Sequence, residues 1–138
     1  MLRVVLDPVV MLRGLLNPHS PCRRLLFDYA DRYCAVFSDN TLRLLRLLLL
    51  HPFIVGKLPL LVKISPSKLV RLLQYAERVR VPIEPDVGVH IALARAARAD
   101  YLICEDQVLL SQCQGRSIPV LNTRAFLALL DPDLFLPT

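Results

Sequence analysis

The sequence predicts an α/β protein, a three-layer α/β/α sandwich around a central, mainly parallel sheet. Short, nearly continuous apolar runs recur at Leu2–Leu6, Cys34–Phe37, Tyr101–Cys104 and Ile118–Leu121. Runs that stay apolar rather than alternating belong to strands buried on both faces. Segments of helical periodicity separate them, and strands alternating with helices call for a parallel sheet covered by helices and joined by right-handed crossovers. Finally, 138 residues, 54% of them hydrophobic, suffice for one core and leave no room for a second domain.

The elements follow in order. Leu2–Leu6 is the first strand, closed by Asp7-Pro8, and Val9–Leu16 continues at helical spacing until Asn17-Pro18. Ser20-Pro21 opens a second helix, expected to run to about Arg32 with Leu25, Leu26 and Tyr29 on one face. After the strand Cys34–Phe37, Ser38 or Asp39 caps a helix from about Asn40 to Leu50. Leu42, Leu44, Leu45, Leu47, Leu48, Leu49 and Leu50 wrap nearly all of that helix and leave a stripe of Arg43 and Arg46. A helix apolar on most sides is buried on most sides, so a homodimer that covers part of it is expected. Ser65-Pro66 begins a further helix expected to reach about Arg80, and another is expected from about Val87 to Ala99. The strand Tyr101–Cys104 ends in Glu105-Asp106, and after Ile118–Leu121 either Asn122 or Thr123 caps a closing helix through Leu130.

Composition excludes several classes. Apolar runs such as Leu47–Leu50 and Leu58–Val62 fall far short of the roughly 18 residues of a membrane span, so no membrane partner is expected. The first residues lack the pattern of a secretory signal, so a cytoplasmic location is expected. Cys22, Cys34, Cys104 and Cys113 show no C-x-x-C spacing and read as reduced thiols. Gly14, Gly56, Gly88 and Gly115 are too scattered for a phosphate-cradling loop, and His19, His51 and His90 are isolated. The net charge of +5, supplied mainly by arginine, suits a polyanionic partner such as RNA, and equally suits plain solvated helix surfaces.

Parallel sheets place their sites at the C-terminal ends of the strands. Asp7 and Asp106 each follow a predicted strand, so both carboxylates are placed to converge at one edge, where hard oxygen ligands suit Mg²⁺. The alternative is that such acids cap the helices that follow.

Arg3-Val4-Val5-Leu6-Asp7-Pro8-Val9-Val10 lies where PIN-domain proteins carry a strand and an Asp-Thr-Asn-Val motif. Ala99-Asp100-Tyr101-Leu102-Ile103-Cys104-Glu105-Asp106 is similar to that family's Ala-Asp-Tyr-Leu-Val-Thr-Gly-Asp segment, and Ile118–Leu127 is similar to its final strand and helix. The chain thus resembles the PIN-domain family over nearly its whole length, especially the toxin components of bacterial toxin–antitoxin pairs. The resemblance implies a single PIN-like domain over residues 1–138. It also implies a metal-dependent ribonuclease plan in which three or four carboxylates hold Mg²⁺ or Mn²⁺, and the metal activates water against a phosphodiester.

The chain departs from that plan. Asp7 and Asp106 match the first and last acids, but the asparagine of the opening motif is Val9 and the family's helix glutamate falls at Arg43 or Leu44. The aspartate before the last acidic strand falls at Val87, with Glu84 and Asp86 nearby, and a further aspartate is Val108. The expected ligand set is therefore Asp7 and Asp106, with Asp86 and Glu105 as substitutes, holding Mg²⁺ or Mn²⁺ weakly or not at all. At Arg43 two arrangements are open: a salt bridge toward Asp7 and Asp106, or exposure beside Arg46 with Leu44 as core. The expectation is a toxin-like protein with weak or no nuclease activity that binds RNA or an antitoxin-like protein. The alternatives are an active endoribonuclease using shifted acids and a structural interaction module.

Overall fold

A computed structural model describes residues 1–51, 76–81, 89–105 and 118–134. Within them, five strands form one sheet: β1 Leu2–Leu6, β2 Tyr33–Phe37, β3 Glu77–Arg78, β4 Tyr101–Ile103 and β5 Val120–Leu121. Their order across the sheet is β3-β2-β1-β4-β5, and every pairing is parallel. β1 is central, with Val4 opposite Ala35 on one side and Tyr101 on the other.

Side chains of successive strand residues point to opposite faces, and the two faces carry separate cores. On one face, Val4, Leu6, Ala35, Phe37 and Ile103 pack with Val10 and Met11 of α1 (Pro8–Leu16) and with Phe126 and Leu127 of the closing helix. On the other, Val5, Val36 and Leu102 pack with Leu93, Ala94 and Ala97. The sheet is thus sandwiched between helical layers, as the apolar runs predict.

Pro21 does start a helix, but it is not one regular helix to Arg32. α2 (Pro21–Arg23) widens into a π-helical turn over Arg24–Asp28 and tightens into a 3-10 turn over Ala30–Arg32. Leu25, Leu26 and Phe27 are successive and all buried, which a regular amphipathic helix on one core cannot arrange. The wide turn frees a carbonyl, and the buried Tyr33 hydroxyl donates to Leu25 O at 2.7 Å. Close packing of α1 on α2 requires Gly14, because a Cβ there would stand 2.9 Å from the Cys22 carbonyl oxygen. Arg23 lies across the end of α1, donating to the Gly14 and Leu15 carbonyls, with its guanidinium 5.5 Å from the Phe27 ring centre. A cation there complements the negative end of the helix dipole.

α3 (Asp39–Leu49) begins at Ser38, whose hydroxyl accepts from Thr41 N at 3.1 Å, while the Thr41 hydroxyl accepts from Ser38 N at 2.9 Å. This reciprocal box fixes the helix start. Glu77–Arg78 corrects the expectation of a helix reaching Arg80: the two residues form an edge strand, opposite Val36 and Phe37, and Val79 N donates to Phe37 O at 2.8 Å. Arg3 pairs with Glu77, and Arg78 Nε donates to Asp39 Oδ1 at 2.7 Å, so ion pairs fasten a strand that has no apolar run. Ala76, Val79 and Arg80 are not helical either, and residues 65–75 of that expectation lie outside the described residues.

α4 (Val89–Ala96) ends in a Schellman turn, with Ala99 N donating to Ala94 O at 3.0 Å and Arg98 N to Arg95 O at 3.2 Å. Arg98 takes the left-handed position (φ 51°) where glycine is usual. α5 (Thr123–Leu130) is capped by Asn122, whose side-chain oxygen accepts from Ala125 N at 2.7 Å. Among the described residues, no helix is long and apolar enough to cross a membrane.

Candidate functional site at the C-terminal edge of the sheet

The strand order reverses direction between β1 and β4, since the chain moves outward from β1 to β2 and β3 and then returns to the other side of β1. A crevice at such a switch point is where open parallel sheets bind ligands. Asp7 and Cys104-Glu105 follow the two strands that meet there. The strand ends thus present, across the sheet, Ser38 after β2, Asp7 after β1, Cys104 and Glu105 after β4, and Asn122 after β5.

Asp7 is partly buried, and the chain itself uses both of its carboxylate oxygens. Oδ1 accepts from Val9 N at 3.1 Å as the N-cap of α1, whose first residue is Pro8. Oδ2 accepts from the Cys104 thiol at 3.3 Å. The Asp7 main chain is also fixed, with its N–H donating to Ile103 O at 2.9 Å, so the β1–β4 ladder sets the position of the carboxylate. Cys104 is fully buried, and its own N–H donates to Leu121 O at 2.9 Å. The thiol is the site feature that the sequence analysis missed. Residue spacing carries no sign of it, because Asp7 and Cys104 meet only through the pairing of two strands far apart in the chain.

Glu105 turns toward the next strand end, where its Oε1 accepts from Thr123 N at 2.9 Å at the start of α5. It therefore acts at the positive end of a helix dipole. Thr123 is buried, and its hydroxyl lies 3.5 Å from the Cys22 thiol. Asp106 and Asp86, like Glu84, Val87, Val108 and Cys113, lie outside the described residues. The structure therefore joins Asp7 to Cys104 rather than to a second carboxylate among the described residues.

Arg43 is exposed and pairs with no acid among the described residues. Of the two arrangements open for Arg43, the bridge is not formed toward Asp7, whose oxygens accept from Val9 N and the Cys104 thiol, and Asp106 lies outside the described residues. The rival arrangement holds only in part, since Leu44 is 36% exposed and is not core. The inward position of α3 goes to Thr41, whose hydroxyl is consumed by the Ser38 box, and Leu45 beside it packs against the core.

Among the described residues, Cys22, Cys34 and Cys104 form no disulfide. Burial, and then the charge of Glu77, push the Cys34 thiol above its usual range, which keeps it protonated at neutral pH. No protein-family model matches the chain, and no curated protein matches it significantly.

A metal of the kind the resemblance implies finds little here to hold it. Among the described residues, no three His, Cys, Asp or Glu side chains come together as a ligand group. A protonated thiol beside Asp7 is a donor rather than an oxygen ligand for Mg²⁺. Of the expected ligand set the described residues hold Asp7 and Glu105, and both serve helix ends.

One consequence is open to measurement. Asp7→Ala removes the cap of α1 and the acceptor of a buried thiol, and should cost about 1 kcal/mol in urea unfolding. Asp7→Asn, which keeps a capping oxygen, should cost less. Equal losses in the two variants would show that capping is not the role of Asp7.

Proposed function

We propose that this chain is a PIN-like protein, of the metal-dependent ribonuclease type by descent of its plan, that has weak or no nuclease activity and works by binding RNA or an antitoxin-like protein. The observation that carries this reading is the use of both Asp7 oxygens within the chain, on Val9 N and the Cys104 thiol. Each of these bonds takes one of the two lone pairs of its oxygen, and the one from Val9 N holds the carboxylate as a helix cap. The diversion of Glu105 to Thr123 N and the exposure of Arg43 support the same reading. On the binding side, a net charge of +5 with Arg13, Arg24 and Arg46 exposed favours phosphate contacts over base reading.

The test uses wild type and Asp7→Asn with a labelled single-stranded RNA. Neither protein should cleave it in millimolar Mn²⁺ above the buffer control. Both should bind it equally, with affinity falling as salt rises by a slope of about 0.7 per phosphate neutralised. Mn²⁺-dependent cleavage that disappears in Asp7→Asn would establish the active endoribonuclease instead.

A further inference from the structure

We infer that β3 is an ion-latched strap on the edge of the sheet, which lets go of β2 as ionic strength rises while the other strands stay paired. This goes beyond the functional reading above and does not depend on it. No side chain of residues 76–81 is fully buried, whereas Val36 and Phe37 of β2, and Val5 of β1 behind them, are buried. Ala76 on one face of the sheet, and Val79 and Val81 on the other, give the segment a partial apolar grip. The rest of its hold is backbone bonding over a two-residue strand, together with two ion pairs.

The two pairs sit at opposite ends of the strap and have opposite polarity. Glu77 meets Arg3 of β1, and Arg78 meets Asp39, the first residue of α3. Both holders are fixed to the frame without the strap. Arg3 N donates to Asp100 Oδ2 at 2.8 Å and Arg3 Nε to Ala97 O at 3.2 Å, while Asp39 follows the Ser38 cap. Charge therefore selects the register as well as the docking. Sliding β3 by one residue in one direction sets Glu77 in the place of Arg78, against Asp39, and sliding it the other way sets Arg78 against Arg3. Like charges meet in either slip. The four side chains are between 33% and 71% exposed, so dissolved ions reach both pairs. The screening length falls from about 10 Å at 0.1 M salt to about 3 Å at 1 M, close to the 2.7 Å between Arg78 Nε and Asp39 Oδ1. The apolar contacts that hold β1, β2 and β4 are not weakened by that screening. Opening the strap frees the Asp39 carboxylate at the start of α3 and bares the outer backbone edge of β2, an edge that can accept another strand.

Amide exchange of the full chain, followed residue by residue by NMR at about 50 mM and about 1 M NaCl, tests the latch. The reporter is Val79 N, which donates to Phe37 O, and the references are Asp7 N and Leu102 N, which donate to Ile103 O and Pro119 O. Protection of Val79 should fall by about three- to tenfold relative to both references between the two salts. Arg78→Glu should give the low protection at either salt, and adding Asp39→Arg should restore both the protection and its salt dependence. A merely structural Arg78 would not be rescued by an arginine at position 39. A ratio that salt leaves unchanged, or a loss shared equally by the three amides, overturns the proposal. So does a double variant that keeps the protection of both references and leaves Val79 unprotected. The wild-type comparison decides the matter by itself if a variant fails to fold.

Discussion

Phe126→Ala should destabilise the protein by about 3–5 kcal/mol, a large part of the roughly 5–15 kcal/mol that holds a domain folded. Phe126 is fully buried on α5 and fills the space between two other rings. Its centroid is 5.7 Å from Tyr33 in an edge-to-face arrangement and 5.7 Å from Tyr101 in a tilted one. Truncation loses the burial of the ring, leaves a cavity that the sheet cannot close, and gives up ring pairs worth about 0.5–1.5 kcal/mol each. Phe126→Leu separates these contributions, because it keeps most of the volume and loses only the ring geometry. The effect should also reach the site. α5 begins at Thr123, whose N–H holds Glu105, so loosening α5 releases that carboxylate. Guanidinium unfolding of the three proteins gives the comparison, and a loss below about 1 kcal/mol for Phe126→Ala would contradict the packing described.

Tyr33→Phe should cost about 1–3 kcal/mol although it removes a single oxygen. The Tyr33 hydroxyl donates to Leu25 O at the wide π-helical turn, and in the variant that buried carbonyl loses its donor. The same residue gives the protein an alkaline limit. Burial pushes the Tyr33 hydroxyl well above its ordinary value of about 10. Below about pH 10 the group is protonated in both states, and its full contribution to stability is present. Above that pH the unfolded chain releases the proton while the native chain keeps it, so stability falls by about 1.4 kcal/mol per pH unit for this one group. Tyr29 adds to the decline, because burial and then its hydrogen bond to Asp131 raise it as well. Wild type should therefore lose its advantage over Tyr33→Phe as pH rises from 9 to 11. A gap that stays constant across that range would mean that Tyr33 ionises equally in both states.

Rules that act within one turn or one strand made much of this architecture legible. β1 and the Asn122 cap stand where apolar runs and capping residues place them, and Ser38 proves to be the cap left open between it and Asp39. What depends on distant partners was not legible. Glu77–Arg78 carries no strand signal of its own and is a strand because Phe37, Arg3 and Asp39 bind it. The π-helical turn accompanies the burial of three consecutive side chains in a core assembled from β1, α1 and the distant Ile103 and Phe126. At the site, the acid at the end of β1 was visible in the sequence, and so was its capacity to cap a helix. That its second oxygen meets a thiol follows only from the adjacency of β1 and β4.

The central place of β1 also has a temporal side. On the ribosome, β1 and β2 emerge close together and can pair early, but the opposite edge of β1 finds Tyr101–Ile103 only after the long stretch between them has been made. At about 5–20 residues per second, roughly a hundred residues of translation leave that edge open for about 5–20 s. Throughout that interval the newborn chain offers a bare apolar strand edge, the kind of surface that recruits other strands. The segment that supplies Asp7 is thus made well before its β4 edge is secured, and chaperones that shield nascent chains have their natural point of action there.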